Sequence, residues 1–374
     1  MNIAVLGTGR VGRVIAADLS NSFNVTACDR DAASLEALEG CGEIETRQAD
    51  LTDPQAIHKL VEPQDLAVCA MPGFLGFQTL QAVIEAGLDV VDISFFPENP
   101  AELHELAKTT GVTALVDFGV APGMSNLVAG YHDARMEVER FDCMVGGLPV
   151  RRTWPFEYKA PFSPIDVIEE YKRPARLVIA GEVVTRPALS DPELVDLEPV
   201  GTLEAFNTDG LRTLIDTLDI PHMRERTLRY PGHVELMRVL RETGFFSEEP
   251  VEVEGTEVRP VDLTTRLLFS DWHLEEGEEE FTIMRIEIDG TEKGHKRRYR
   301  YDLYDRYDPV TGFTSMARTT GFACTAAVRM LAEGYFDRDG VYPPEFVGAE
   351  TACFEYIMEY QEERGVHYRR TVLS

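Results

Sequence analysis

Asn2-Ile3-Ala4-Val5-Leu6-Gly7-Thr8-Gly9-Arg10-Val11-Gly12 joins a short apolar run to a glycine fingerprint at the start of a helical pattern. Asn2 to Leu6 suits a strand buried on both faces, and Val11 to Ser20 has helical spacing. A bare GxGxxG is weak, but between a strand and a helix it marks a dinucleotide site. Gly7 lets the chain turn, Gly9 lets backbone approach a pyrophosphate, and Gly12 brings helix and strand together. Arg10, Val11 and Gly12 then present the unpaired N–H groups of a helix N-terminus to the phosphates.

Outward from this stretch the pattern repeats. Apolar strands are expected at Val25–Cys28, Asp65–Met71, Asp89–Ser94 and Thr113–Phe118, with a weaker one at Glu43–Gln48. Helical segments lie between them at Pro54–Val61, Phe77–Glu85 and Pro100–Thr109. Strand alternating with helix at this period predicts an α/β, doubly wound parallel sheet. The second strand ends at Asp29, 22 residues after Gly7, where an acid that bonds the adenosine ribose is expected. A 2′-phosphate beside Asp29 would add a like charge, at a cost of roughly 4 kcal/mol for a ~4 Å separation. NAD is therefore expected over NADP. Arg30 complicates this, since it could pair with a 2′-phosphate or stack on adenine. Asp50 joins the cofactor-binding set. Met71-Pro72-Gly73, after the fourth strand, and Ser94, after the fifth, should line the nicotinamide half of the crevice beyond the strand ends.

The 374 residues carry 44% hydrophobic and 27% charged side chains, the balance of a globular protein of two domains or more. No run approaches the ~18 apolar residues of a membrane span, and the N-terminus lacks the basic flank of a signal peptide. Six scattered cysteines without a CxxC pair fit neither a disulfide framework nor a zinc ribbon, so a reducing cytoplasm is expected. The net charge of -29 argues against nucleic acid or an anionic membrane as partner. Thirty of the 36 basic residues are arginines, a bias that suits either a salt-adapted host or a GC-rich genome. The eight histidines show no paired ligand spacing, so no metal is expected.

From about Met124 the strict alternation stops. Leu203–Phe206, Val251–Val253 and Phe281–Ile288 look like strands, with Asp289-Gly290 as a turn into Arg297–Tyr304. Acidic Glu275–Glu280 and basic Lys293–Arg300 read as solvated strand ends or a cross-strand charge match. Gly321–Glu333 reads as an amphipathic helix, and Tyr342–Glu345 as a turn into a final short helix. The expected division is a dinucleotide-binding domain over 1–123, completed by about 318–374, and an α+β domain over 124–317. Asp117, at the end of the sixth strand, should face the crevice. Tyr158, Lys159, Asp209, Arg212, Arg229 and His233 are the other polar candidates.

In order along the chain come "AMPGFLGF" from Ala70, "VDISFFPENP" from Val91, "DFGVAPGMSN" from Asp117 and "VGGLPVRR" from Val145. "YKAPFSP" from Tyr158, "FNTDGLRTL" from Phe206, "TLRYPGH" from Thr227, "ARTTGF" from Ala317 and "GVYPPE" from Gly340 complete the series. This series resembles the saccharopine dehydrogenase-like superfamily nearly end to end, and within it most resembles the lysine 6-dehydrogenases. The resemblance implies a Rossmann domain and an inserted mixed-sheet domain for substrate and dimerisation, so a homodimer or higher homo-oligomer. It departs from true saccharopine dehydrogenases at Ala121, where they carry an acid, and at Val145, where they carry a cysteine. The implied reaction is NAD-dependent oxidative deamination of the L-lysine side chain to 2-aminoadipate 6-semialdehyde and ammonia, the aldehyde closing to a piperideine carboxylate. Such chemistry needs a base, because the amine has a pKa of ~10.4, a cation for the α-carboxylate, and a group for the α-ammonium. Arg212 is assigned to the carboxylate, Asp117 or His233 to proton transfer, Lys159 and Tyr158 to orientation, and Asp209 to the α-ammonium, with Ser94 counted among the substrate-binding residues. The alternatives are a saccharopine or carboxynorspermidine dehydrogenase, or a dinucleotide-binding sensor without turnover.

Overall fold

The computed structural model describes residues 1–161 and 164–373. In chain order the first elements are β1 (Asn2–Leu6), α1 (Arg10–Ser20), β2 (Asn24–Asp29), α2 (Ala32–Glu36), β3 (Ile44–Gln48), α3 (Pro54–Val61), β4 (Leu66–Cys69), α4 (Gly73–Glu85), β5 (Val90–Asp92), α5 (His104–Thr110), β6 (Thr113–Leu115) and α6 (Met124–Asp133). Next come β7 (Glu137–Pro149), α7 (Pro164–Lys172), β8 (Ala175–Ile179), β9 (Glu182–Arg186), β10 (Glu193–Leu197), β11 (Gly201–Asn207), α8 (Leu214–Thr217), β12 (His222–Arg229), α9 (His233–Glu242), β13 (Val251–Val253), β14 (Thr256–Val258), α10 (Pro260–Trp272), β15 (Glu280–Glu292) and β16 (His295–Arg306). The chain ends with α11 (Ser315–Ala332), β17 (Gly340–Tyr342), α12 (Pro344–Ala349), α13 (Thr351–Glu363) and β18 (Tyr368–Val372).

Two compact units result: Met1–Arg135 with Met316–His367, and Met136–Ser315 with the segment from Tyr368. The first holds a seven-stranded parallel sheet in the order β17-β6-β5-β4-β1-β2-β3. Its inner strands are apolar on both faces, Ile3 to Leu6 and Leu66 to Cys69 being buried throughout, because helices pack on either side. The dinucleotide-type, Rossmann α/β reading of this half holds.

The second unit is a mixed sheet in the order β10-β11-β12-β7-β15-β16-β18, with β8 also against β12 and β9 beside β8. Trp272, Tyr171, Phe206, Val167 and Met237 form one of its cores, and Leu148, Leu203, Leu228 and Ile283 another. The turn expected at Asp289-Gly290 lies elsewhere. β15 runs on to Glu292 with a bulge against β7 at Asp289/Gly290, and the chain reverses at Lys293-Gly294. Both turn residues have positive φ, 51° and 80°, as a two-residue hairpin turn requires. The flanking charges match across the hairpin, Arg298 pairing with Asp289 and Arg300 with Glu287. The segment to 374 was expected to complete the first domain, yet β18 pairs antiparallel with β16. Backbone hydrogen bonding to an open strand edge draws these last residues into the second sheet.

Candidate active site

In the first sheet, strand order reverses between β1 and β4, where ligand crevices open beyond the strand ends. The loops after both strands meet there, for a Cβ on Gly7, at φ +93°, would collide with the Ala70 carbonyl. A Cβ on Gly12 would strike the Gly7 carbonyl, so helix and strand approach closely at that glycine. Gly9 differs: nothing lies within 4 Å of the position its Cβ would take. The chain itself does not demand a glycine there, and the open space fits a pyrophosphate against the N–H groups of Arg10, Val11 and Gly12. Those residues fit a dinucleotide, and the unit is a dinucleotide-binding domain.

Asp29 is engaged by the fingerprint loop. One carboxylate oxygen accepts from the Thr8 amide at 2.7 Å and the Thr8 hydroxyl at 3.2 Å, and the other from the Asp31 amide at 3.0 Å. Thr8, buried, was not singled out by sequence. Arg30 is exposed, and its carbonyl accepts from the Gln48 side chain at 2.9 Å. Asp50 accepts from the amide and hydroxyl of Thr52. These bonds, and then the Arg30 charge, hold its carboxyl below the usual range.

Pro72 caps α4, which begins at Gly73. The Met71 amide donates to the Ser94 hydroxyl at 3.2 Å, and that hydroxyl donates to Asp92 at 2.8 Å. Ser94 is 2% exposed and braces the Met71 turn, which corrects its assignment to substrate. Asp117 follows β6, buried, with φ +57°. The loop beyond it closes tightly, a Cβ on Gly123 colliding with Gly119 before α6 starts at Met124.

In the second unit a buried polar cluster centres on Arg229. Its guanidinium donates to the Tyr171 hydroxyl at 3.1 Å, to Glu170 at 2.9 Å and, at 3.5 Å, to Tyr158, whose ring lies beneath it. Burial works against the Arg229 charge, but Tyr158, Tyr171 and Glu170 more than offset it. His233 donates from Nδ1 to the Phe156 carbonyl at 2.8 Å, leaving Nε2 to accept from the Tyr171 hydroxyl at 2.9 Å. Burial first, and the Arg229 charge second, push its pKa down to about 3. A neutral ring with both nitrogens bonded is a strut, so His233 is withdrawn as the group that takes the proton. Tyr158 supports Arg229, and burial pushes its phenol up. Lys159 donates to the His273 carbonyl at 2.9 Å and lies 3.9 Å from Glu278. Phe162 and Ser163 of the same stretch lie outside the described residues.

Asp209 is likewise corrected. Arg176 grips it with two side-chain bonds of 2.8 and 3.0 Å, so its charge is already matched. Arg212, three residues on, is buried with φ +52°. Glu225 on β12, missed by the sequence reading, is 5% exposed and accepts from the Thr208 hydroxyl at 2.6 Å. Burial, with Glu170 and Asp209 nearby, pushes its pKa up to about 7. A cavity of about 390 Å³ in this unit, walled by Arg140, Ile179, Arg186, Asn207 and Arg224 among others, includes none of the candidate residues. Among the described residues no group of acids, histidines and cysteines has the arrangement of a metal site, and no helix is long and apolar enough to cross a membrane.

Residues 3–115 match the description "Saccharopine dehydrogenase NADP binding domain" and residues 119–366 "Saccharopine dehydrogenase C-terminal domain". Saccharopine dehydrogenase [NADP(+), L-glutamate-forming] of Schizosaccharomyces pombe is 22% identical over 92% of this chain and 93% of its own. Alpha-aminoadipic semialdehyde synthase of Arabidopsis thaliana is 26% identical over 59% of this chain, a match that spans only 22% of the plant protein. The mitochondrial synthase of Rattus norvegicus is matched over 45% of its length. Among solved structures, apo saccharopine dehydrogenase (L-Glu forming) from Saccharomyces cerevisiae superposes with a TM-score of 0.81 at 18% identity, covering all of both chains. Homospermidine synthase from Legionella pneumophila in complex with NAD gives 0.68 at 12% identity, over all of this chain and 91% of that one.

Proposed function

The chain belongs to the saccharopine dehydrogenase family of oxidoreductases, and on that premise we propose that it oxidatively deaminates the side-chain amine of L-lysine, with NAD+ as hydride acceptor. L-Lysine, NAD+ and water give 2-aminoadipate 6-semialdehyde, NADH, ammonia and a proton. The observation that carries this reading is a pair of strained residues. Eight non-glycine residues among those described have positive φ, and of these only Asp117 and Arg212 are both buried and charged. Left-handed backbone costs about 1–3 kcal/mol per residue and persists where function uses it.

Arg212 is assigned the substrate carboxylate, which a guanidinium fork holds in two parallel hydrogen bonds. Asp117 is assigned the proton that the ammonium must lose. Tyr158 and Lys159 keep orienting roles, Tyr158 through Arg229. Bound nicotinamide supplies the hydride-accepting carbon. Asp29 favours NAD, because its carboxylate would repel a 2′-phosphate. Arg30 is the group that would oppose it.

The names of the relatives favour a second reading, saccharopine as substrate. Apolar Ala121 and Val145, at positions where saccharopine dehydrogenases resemble one another in carrying an acid and a cysteine, favour lysine. NAD+ reduction measured with L-lysine, saccharopine and carboxynorspermidine, with ammonia release in parallel, separates the readings. Turnover of saccharopine without ammonia would overturn the lysine reading, and binding of a dinucleotide with no turnover of any would leave a sensor.

A further inference from the structure

Three carboxyl groups lie within electrostatic reach of one another in the second unit: Glu170, Asp209 and Glu225. Two have an arginine each, Arg229 for Glu170 at 2.9 Å and Arg176 for Asp209 at 2.8 Å. Glu225 has none among the described residues. Its contacts are the Thr208 hydroxyl and the Gly210 amide, and Thr208 in turn bonds Thr227 at 2.9 Å. The turn closes on the acid so tightly that a Cβ on Gly210 would collide with the Glu225 carboxylate. Two residues beyond Gly210 stands Arg212, and after it Thr213, whose hydroxyl is buried without a hydrogen-bond partner among the described residues. A buried carboxyl without a cation and a buried hydroxyl without a partner are both expensive to leave unmatched.

We propose that Glu225 is the anchor for the α-ammonium of the substrate, so that one turn, Thr208–Thr213, reads the zwitterionic head of an α-amino acid, Arg212 taking the carboxylate. This rests on the lysine reading and on Arg212 as its carboxylate partner. It supplies the group that Asp209, held by Arg176, cannot. The carboxyl, pushed up to about 7, charges fully when an ammonium arrives beside it. The groups facing it are Glu170 from α7, Asp209 and Gly210 from the turn, and the hydroxyl of Thr208. None is a cation, so the substrate's own charge completes the site.

The test is Glu225→Gln, which keeps an acceptor for Thr208 and Gly210 and removes the charge. KM is measured for L-lysine and for 6-aminohexanoate, which lacks the α-ammonium, with NADH affinity by fluorescence alongside. The expected result is a ten- to hundredfold rise in KM for L-lysine, no change for 6-aminohexanoate beyond twofold, and unchanged NADH affinity. Glu225→Asp, which keeps the charge, should recover part of the loss and serves if the glutamine variant folds poorly. In the wild type, KM for L-lysine should fall as pH rises through about 7, and in Glu225→Gln it should not. An equal effect on both amines, or none on L-lysine, would overturn the assignment while leaving the lysine reading standing. Absence of NAD+ reduction by the wild type with L-lysine overturns both.

Discussion

Thr8 donates both its amide and its hydroxyl to one oxygen of Asp29, at 2.7 and 3.2 Å. The acid at the end of β2 therefore fixes the glycine loop after β1, so the proposed ribose contact and the shape of the proposed pyrophosphate cradle would be set together. Asp29→Asn keeps an oxygen for Thr8 and removes the charge. We expect it to weaken NAD binding while narrowing the preference over NADP by roughly tenfold, about 1.4 kcal/mol. Titration of NADH and NADPH on both proteins checks this. Wild-type protein that binds NADPH at least as tightly as NADH would show that Arg30 outweighs Asp29.

Gly9→Ala and Gly12→Ala should behave oppositely. The methyl at Gly9 meets no atom of the chain, so the variant should melt with the wild type yet lose cofactor affinity. The methyl at Gly12 meets the Gly7 carbonyl, and overpacking of that kind costs about 1–3 kcal/mol. Melting curves with and without NADH distinguish the two. A Gly9→Ala protein with unaltered NADH affinity would take the dinucleotide off this loop.

Arg212→Ala should raise KM for L-lysine far more than it changes cofactor affinity. Loss of a charge-assisted pair costs about 1.5–3 kcal/mol, roughly ten- to a hundredfold. If Arg212 only braces the turn, melting temperature falls and KM stays put. Kinetics and melting on one preparation decide.

Stability should carry the signature of Glu225. Its folded pKa of about 7 lies above the ordinary 4.5, so the folded state holds an extra proton between these values. The contribution is complete below about 4.5 and is lost as pH rises through about 7, a swing of about 3 kcal/mol at 1.36 kcal/mol per unit. Urea unfolding at pH 5 and pH 8 isolates this as a difference between proteins: on going from pH 5 to pH 8 the wild type should lose about 3 kcal/mol relative to Glu225→Gln, both sharing every other titrating group. His233 works the other way: its pKa, lowered to about 3, withdraws stability as pH falls below the usual 6.5. A pH 5 to pH 8 difference identical in both proteins would place the Glu225 carboxyl near its ordinary range.

The sequence carried the first unit well because its central strands β1 and β4 are continuous apolar runs and some of its helical segments follow a capping Asp or Asn. α3, with Asp53 accepting from the Gln55 amide ahead of Pro54, starts where expected. The second unit was harder. Asp289-Gly290 reads as a hairpin turn, but a Gly can equally serve a bulge, and Gly290 does so because the Glu137 carbonyl leaves no room for a Cβ. Among site residues, Asp209 and Arg176 are 33 positions apart, so no local pattern announces that the acid is already paired. His233 and Tyr171 are separated by 62. Arg224-Glu225-Arg226 looks like a solvated charged strand, yet Glu225 and Arg226 are buried on opposite faces of β12. Only the alternation of side chains about a strand, once its neighbours are known, separates those faces.

β18 gives the second sheet a protective hem. Its side chains Arg369 and Arg370 are exposed, and charged residues on a border strand discourage the unpaired backbone groups from recruiting another chain. A protein cut after His367 would present β16 instead, with Tyr299, Tyr301 and Leu303 along it and the hydrogen bonds once made to Tyr368–Val372 left open. Clipping by proteases, or crowding of this strand by a fusion partner, is thus a route to sticky, self-associating material even when the dinucleotide-binding half stays intact.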